Sequence, residues 1–469
     1  MANRAGRGAG RRGMHTEDAT EYDANRYAGY LLRALGVDVV AAPQGPAAHP
    51  ALRWAECGAM ALTGRRDGPP LMCPVPLAAC ADGALVALQR VAAAPHGLLP
   101  AGAELLAERA ALAGLQRNGR ISPGGACRLL DCVDGRIALT LARPEDWASL
   151  PAWLPEIRLR AEFPRCKESA QSRNTAADWE VVASAVADQE CDALVERGRL
   201  LSLAIAADRL PDHAPEPWLV IEHECGGGTT ARRGPPVVVD LSSLWAGPLC
   251  THLLGLLGAQ VIKVESTTRP DGARSGKRAV YDRLNHGKSS VAIDFQSARG
   301  RDQLRRLLES ADIVIEASRP RALRQLGIDA DAICASRRAL TWVSLTGHGL
   351  RAPQQHWIAF GDDAGVAAGL SALLHRATGE TLFCGDAVAD PLAGMHAALA
   401  AWWSHRRGGS RRISVSLQSV VRACVDFAAP LDAPTLRERQ RRWEATARAG
   451  PIARYPRFRI SSAGPPTIA

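Results

Sequence analysis

Residues 237–266 read VVVDLSSLWAGPLCTHLLGLLGAQVIKVES, and this stretch decides the fold class. The apolar run Val237 to Val239 enters a loop at Asp240, Pro248 to Leu257 has helical character and stops at Gly258, and Gln260 to Val264 is strand-like again. Further along, Ser290 to Asp294, Asp312 to Glu316 and Leu340 to Leu345 read as strands, separated by helical stretches at Arg299 to Glu309 and Arg321 to Leu326. That alternation predicts an α/β fold with a Rossmann-like parallel sheet and helices on both faces. Ligands of such sheets sit beyond the carboxyl ends of the strands, so the loops after Val239, Val264, Glu316 and Leu345 are the first places to look. None contains GxGxxG, which argues against ordinary dinucleotide binding.

Working outward, 469 residues predict two or three domains, and 47% apolar with 22% charged residues excludes a disordered or collagen-like polymer. Composition divides the chain into a Gly/Arg tail (1–20), an Ala/Leu-rich unit (21–100), a smaller α/β domain (101–223), a Gly-rich linker (224–236), the Rossmann-like domain (237–428) and an Arg/Pro-dense C-terminal extension expected at the periphery (429–469). The formal charge of +9 suits a polyanionic small ligand, whereas 5% aromatic residues supply a poor base-stacking surface, so no nucleic-acid partner is expected. Twelve cysteines without a CxxC pair read as reduced thiols in a cytoplasmic protein, with no metal framework. The least polar stretch, Trp245 to Ile262, is interrupted by Thr251, His252 and Gln260, and fits a buried helix and strand better than a membrane span.

The sequence also repeats itself faintly. Ala28 to Pro43 parallels Pro248 to Ser266, and Cys57 to Leu88 parallels Ala368 to Leu399, so the first half looks like a shortened, degenerate copy of the second. Chance similarity between two Ala/Leu-rich segments gives the same appearance.

The segment 237–266, followed by LNHGKSSVAIDF (284–295), ADIVIEASRPRALRQLGI (311–328) and LTWVSLTGHG (340–349), resembles the class III CoA-transferases, a family that also contains α-methylacyl-CoA racemase. The resemblance covers roughly 237–428; ELLAERAALAGL and the segment from Ser122 to Leu154 resemble the family's small domain more weakly. Here that small domain precedes the nucleotide-binding part, the reverse of the family's usual order.

The resemblance implies an enzyme that uses coenzyme A, as an acyl-CoA co-substrate, without a metal, and that moves CoA to a carboxylic acid. The family's nucleophile is an aspartate four residues before a glycine at a helix start, and VADPLAGMHAALAAW puts Asp390 at that place before Gly394. A carboxylate suits the task, because it can attack a thioester carbonyl and exchange one activated acyl group for another. Asp followed by Pro is also the ordinary N-cap and N1 pair of a helix, a purely structural alternative. The position four before Gly83, in the parallel segment, is Ala79.

By the same resemblance Lys288 helps hold CoA, Leu284 touches its adenine, and Arg269, with Arg274 nearby, lies near a phosphate-binding arginine. Ala246, Gly247 and Pro248 let the backbone approach a ligand and start a helix. Departures are Ala317-Ser318 in place of Asn-Phe and Gln325 in place of an arginine, with Arg324 beside it and Arg319 in a position to compensate. Asp363 matches an acidic residue near the nucleophile and equally suits helix capping. The racemase histidine corresponds to Asp362, which disfavours racemisation. Family members form interlocked homodimers, so a homodimer is expected. The altered contacts and shortened first copy keep a non-catalytic CoA-binding partner as a competing expectation.

Overall fold

Two sheets organise the residues that this computed structural model describes, namely 21–38, 48–155, 175–211, 217–226, 234–318, 320–454 and 467–468. The smaller is antiparallel, from β1 (Cys127–Asp131), β2 (Arg136–Thr140) and β3 (Ala204–Ala207) in that spatial order. It closes its own core of Trp147, Leu150, Trp153, Trp179 and Leu194, in which Trp147 and Trp179 meet edge to face at 5.4 Å.

The larger sheet comprises β4 (Val220–Cys225), β5 (Val237–Leu241), β6 (Gln260–Ser266), β7 (Ser289–Ile293), β8 (Ile313–Glu316), β9 (Leu340–Thr346), β10 (Ser410–Ser416) and β11 (Thr467–Ile468). Their order is β11-β7-β6-β5-β8-β9-β10-β4, with every pairing parallel except that of β4 on β10. Strands predicted from the sequence at 237, 260, 290, 312 and 340 all form within a residue or two of their expected bounds. Alternation along each strand explains the two covered faces. Val238, Ile313, Ile315, Val343 and Leu345 feed one apolar cluster, while Val239, Val314 and Trp342 feed another on the opposite side. From β5 the chain runs to β6 and β7 on one side, then returns to β8, β9 and β10 on the other. The crevice at the carboxyl ends of β5 and β8 is therefore the topological switch point.

The helices that position the site are α1 (Ala24–Ala34), α2 (Leu77–Ala92), α3 (Gly102–Ala113), α4 (Cys191–Leu200), α5 (Ala246–Leu256), α6 (Gly361–Ala367) and α7 (Ala389–Arg407). α1 and α2 do not close a core of their own: Tyr27, Leu31 and Leu85 share one cluster with Leu249, Leu253 and Ala397. The C-terminal segment is less peripheral than its composition implied. In the helix Ala433–Arg448, Leu436, Arg439 and Trp443 are buried, and the Arg439 guanidinium donates to Tyr22 Oη and Ala428 O, each at 2.8 Å. Residues 224 and 225 belong to β4 rather than to a linker, while the 1–20 tail and residues 227–233 lie outside the described residues.

Two helix pairs share one docking geometry. α1 and α5 are each 11 residues long and end on glycines with positive φ, Gly36 at 64° and Gly258 at 94°. A Cβ built on Gly83 of α2 would stand 2.6 Å from Ala24 O at the start of α1; one on Gly394 of α7 would stand 2.6 Å from Ala246 O at the start of α5. Both helix pairs thus dock through one glycine against the first residue of the partner helix. Among the described residues no helix is long and apolar enough to cross a membrane.

Candidate active site

Asp390 occupies the first turn of α7, but it does not cap it. The helix begins at Ala389 after Val388, whose side chain makes no capping bond, and the Asp390 N–H donates to Ala387 O at 3.0 Å. The expected Asp-Pro cap and N1 pair is shifted inward by two positions. The turn before the helix takes over the job, with Ala387 held at φ 44°, a left-handed conformation that an alanine adopts only under constraint. Ala387 N–H in turn donates to Asp362 Oδ1 at 2.9 Å. The Asp390 carboxyl instead receives the Gly361 N–H from the start of α6.

Its surroundings are acidic and nearly closed. Asp362 from α6 and Asp386 from the turn are its carboxylate neighbours, and Arg109 from α3 is the neighbouring cation. Burial pushes the Asp390 carboxyl up to about 7; Arg109 works against that, and Asp362 and Asp386 add to it. Asp362 is raised to about 6 by burial and by Asp386. Asp386 is fully buried and binds Arg109 through two prongs, while Asp390 and Asp362 each keep some accessible surface. The Arg109 guanidinium also lies over the Trp245 ring, 5.1 Å from its centroid.

Glycines set the approach distances. A Cβ at Gly361 would collide with Asp390 Oδ2 and with Ala387 O, so only glycine lets the start of α6 close over the carboxylate. A Cβ at Gly247 would strike the Ser242 side chain, which places the bend of the AGP segment against its own loop. Asp363, at the third position of α6, accepts from Phe360 N at 3.0 Å and from Thr140 Oγ1 of β2 at 2.8 Å. It caps the helix and ties it to the small sheet. Burial pushes this carboxyl up to about 7.

The residues expected to hold CoA fall in different places. Lys288 is buried, and its ammonium donates to Asp240 Oδ2, Pro248 O and Asn285 Oδ1, each at 3.0 Å. Those three bonds exhaust its donors, so it shapes the loop after β5 instead of facing a phosphate. Lys263 acts similarly, donating to Ser242 O at 3.0 Å and pairing with Asp271 at 2.9 Å. Burial alone would raise the Asp240 carboxyl, yet Lys288 and Lys263 hold it below the usual carboxylate range. Leu284 is core, at 2% exposure, and Ala246, Gly247 and Pro248 are buried too. In each of these, apolar packing or a buried charge already uses the side chain.

Arg274 is engaged by Glu265 at 2.7 and 2.9 Å and lies over Tyr281. Arg269 is exposed, Arg324 is exposed beside a small polar cleft with Glu222, His223 and Arg412, and Arg319 lies outside the described residues. Sequence reasoning missed Arg109 and Asp386. The sequence offers each residue singly, Arg109 beside Glu108 in the mostly apolar α3 and Asp386 four residues before Asp390, but nothing local that joins them. Among the described residues no group of three or more His, Cys, Asp or Glu side chains is arranged to hold a metal ion.

Comparison with known proteins bears on the half of the chain that carries Asp390. Residues 236–461 match the family model described as CoA-transferase family III. A formyl-CoA:oxalate CoA-transferase of Rhodopseudomonas palustris is 27% identical over 232 residues, covering 47% of this chain and 52% of that protein. An acyl-CoA transferase of Fusarium pseudograminearum is 28% identical over 199 residues, covering 38% and 44%. A solved structure of a CAIB/BAIF family protein from Brucella suis is 28% identical, covering 40% of this chain and 54% of that one, with a TM-score of 0.38. The chain spans about half the length of the relatives it matches.

Proposed function

We propose that this chain, whose residues 236–461 match the model of CoA-transferase family III, moves CoA from an acyl-CoA thioester to a carboxylic acid through Asp390. The observation that carries the reading is a carboxylate at a helix start that makes no capping bond, borders accessible surface and is flanked by one arginine. In the first step an Asp390 oxygen attacks the thioester carbonyl carbon; the C–S bond breaks and CoA leaves as a thiolate, giving a mixed anhydride. The thiolate then attacks the aspartyl carbonyl, releasing the first acid as a carboxylate and leaving an aspartyl-CoA thioester. The incoming acid repeats the two exchanges in reverse order, so Asp390 is regenerated and no redox equivalent is consumed.

The residues around Asp390 suit these steps. The Gly361 N–H donates to the Asp390 carboxyl, where it would also stabilise negative charge developing on the aspartyl carbonyl oxygen when CoA thiolate attacks it. Arg109 keeps Asp390 ionisable inside an acidic cluster, and it comes from the first part of the chain, which is thereby part of the site. Mass analysis after incubation with an acyl-CoA and hydroxylamine tests the reading. A hydroxamate confined to Asp390 supports it, and full turnover by Asp390→Ala rejects it.

A second reading draws on Asp362, which stands where the racemases of this family have histidine and, like Asp390, titrates near neutrality. Two such groups are the minimum for moving an α-proton from one face to the other. Deuterium wash-in at the α-carbon of a 2-methylacyl-CoA separates epimerisation from transfer.

A further inference from the structure

Among the described residues three pairs of thiols are hydrogen-bonded to each other: Cys73 with Cys384, Cys80 with Cys424, and Cys132 with Cys191. The first two pairs are buried in the main apolar cluster, whereas Cys132 is only half-buried, at the turn that joins β1 to β2. The backbone builds this third pair. Asp131 lies opposite Arg136 in the hairpin register, which sets Cys132 opposite Gly135, and the Cys132 N–H donates to Gly135 O at 2.9 Å. Cross-strand neighbours share one face of a sheet, so a side chain at 135 would stand beside the Cys132 thiol. Gly135 has none, and Cys191 Sγ takes the space, 3.9 Å from where that Cβ would be.

Cys191 reaches this place because the start of α4 is bound to the turn at three points. Val133 N–H donates to Gln189 O at 3.1 Å, Cys191 N–H to Asp134 Oδ1 at 2.8 Å, and the Cys191 thiol to Arg136 O at 3.1 Å. The two sulfurs are thus presented to each other by anchored backbone, at the edge of the small-domain core that Cys191 joins and Cys132 packs against. Their chemistry is unequal. Cys191 is the first residue of α4, where free helix N–H groups favour a thiolate, and the hydrogen bond from Cys132 holds its thiol below the usual range, against burial, Asp134 and Asp192. The same contact, with burial, pushes the Cys132 thiol up. Cys191 is therefore the nucleophile and Cys132 the partner that keeps its proton.

We propose that Cys132 and Cys191 are a peroxide-sensitive modification site that closes reversibly to a disulfide, tying the β1–β2 turn to the start of α4. The Cys191 thiolate attacks one oxygen of hydrogen peroxide; the O–O bond breaks, hydroxide leaves and takes up the proton Cys191 released, and a sulfenic acid remains on Cys191. The Cys132 sulfur then attacks the Cys191 sulfur; the S–O bond breaks, and the leaving hydroxide takes the Cys132 proton as water. Two thiols are oxidised by two electrons in all, and the peroxide is reduced to two molecules of water. The site uses none of the residues around Asp390 and stands apart from the transferase reading.

Titration of the full chain with hydrogen peroxide, followed by acid quench, alkylation in denaturant and tryptic digestion without reductant, tests the site by mass analysis. Trypsin releases residues 129–136 and 174–197, each with a single cysteine, so the bond reads as one cross-linked peptide lighter than the sum of the two by two hydrogens. Half-conversion is expected at a peroxide dose at least about tenfold below the one that modifies any other thiol, since a lowered pKa and a resolving partner coincide only here. Dithiothreitol should restore both thiols. Cys132→Ser should accumulate a sulfenic acid at Cys191, trapped by dimedone, and Cys191→Ser should leave Cys132 unmodified at the same dose. Absence of the cross-linked peptide, accumulation of sulfinic acid at Cys191 in the unmodified chain, or linkage of Cys73 to Cys384 or of Cys80 to Cys424 at a lower dose would overturn the proposal.

Discussion

Arg109 and Asp386 form a two-pronged ion pair, Nε to Oδ2 at 2.9 Å and Nη2 to Oδ1 at 2.5 Å, that joins helix α3 to the turn preceding Asp390. The pair fixes the turn, and the same guanidinium is the cation nearest Asp390, so structure and charge are set by one side chain. Removing it leaves Asp386 fully buried without a counter-charge, which typically costs about 3 kcal/mol or more. Arg109→Ala is therefore expected to lower the denaturation midpoint and to raise the Asp390 pKa further. Arg109→Lys keeps the charge, loses the fork, and should show a smaller loss of stability. A pH-rate profile of Arg109→Lys lying at lower pH than the unmodified protein would contradict this.

Asp390 must be a carboxylate to attack a thioester, and burial raises its pKa to about 7. The rate of CoA transfer should consequently rise with pH through the neutral range and level off above it, since the ionised fraction grows as pH passes the pKa. Asp390→Asn should lower turnover by at least about a thousandfold. Binding of CoA, measured by calorimetry, should change little, because an amide of the same shape keeps the packing. A flat pH profile between 5 and 8 with a slow chemical step would exclude Asp390 as the titrating nucleophile.

What the sequence disclosed and what it hid have a common cause. Strand and helix periods over 237–346 are local, and each predicted element formed because its apolar residues had a sheet face to cover on either side. Asp390, the proposed nucleophile, is singled out in the sequence by its motif. The burial of Lys288 and Leu284 was not legible, because a motif position carries no record of burial, and only the fold shows that Asp240 already holds the ammonium. Arg109 and Asp386 are 277 residues apart, and no local pattern predicts such a pair. The C-terminal helix was taken for surface on its arginines, yet Arg439 lies in the interior because backbone carbonyls and Tyr22 satisfy its donors.

Lys288 gives a direct test of structural against ligand-binding roles. Lys288→Met strands the buried Asp240 carboxylate and should destabilise the chain by about 3 kcal/mol or more. The double variant Lys288→Met/Asp240→Asn should recover a large part of that loss, because the uncompensated charge is gone. The KM for acyl-CoA in whatever fraction folds should stay within about threefold of the unmodified value. A KM tens of times higher at unchanged stability would return Lys288 to the ligand.

Three glycines separate docking from chemistry. Gly83→Ala and Gly394→Ala each drive a Cβ to 2.6 Å of a helix-start carbonyl, so each should cost about 1–3 kcal/mol through overpacking. Gly361→Ala instead collides with the Asp390 carboxylate and Ala387 O. It should lower kcat by roughly a hundredfold, since an ångström-scale displacement of a reacting group has that order of effect. Melting curves and turnover measured on all three would refute this division if Gly83→Ala, far from Asp390, reduced kcat of the folded protein as strongly as Gly361→Ala.

Asp363 links stability to pH with a definite sign. Its carboxyl is pushed up to about 7 by burial, against an unfolded value near 3.8. Between those two values the folded chain binds a proton that the unfolded chain has released. The stabilisation is therefore complete below about pH 4 and is lost as pH rises through about 7. Asp363→Asn keeps an oxygen to accept from Thr140 Oγ1 and Phe360 N, and it has no charge to desolvate. At pH 5 the variant should melt at or slightly below the temperature of the unmodified chain; at pH 8 it should melt at or above it. The difference between the two chains, taken at each pH, cancels titrations elsewhere. If that difference stays constant from pH 5 to pH 8, Asp363 is ionised throughout, and a bound counter-charge rather than a proton must neutralise it.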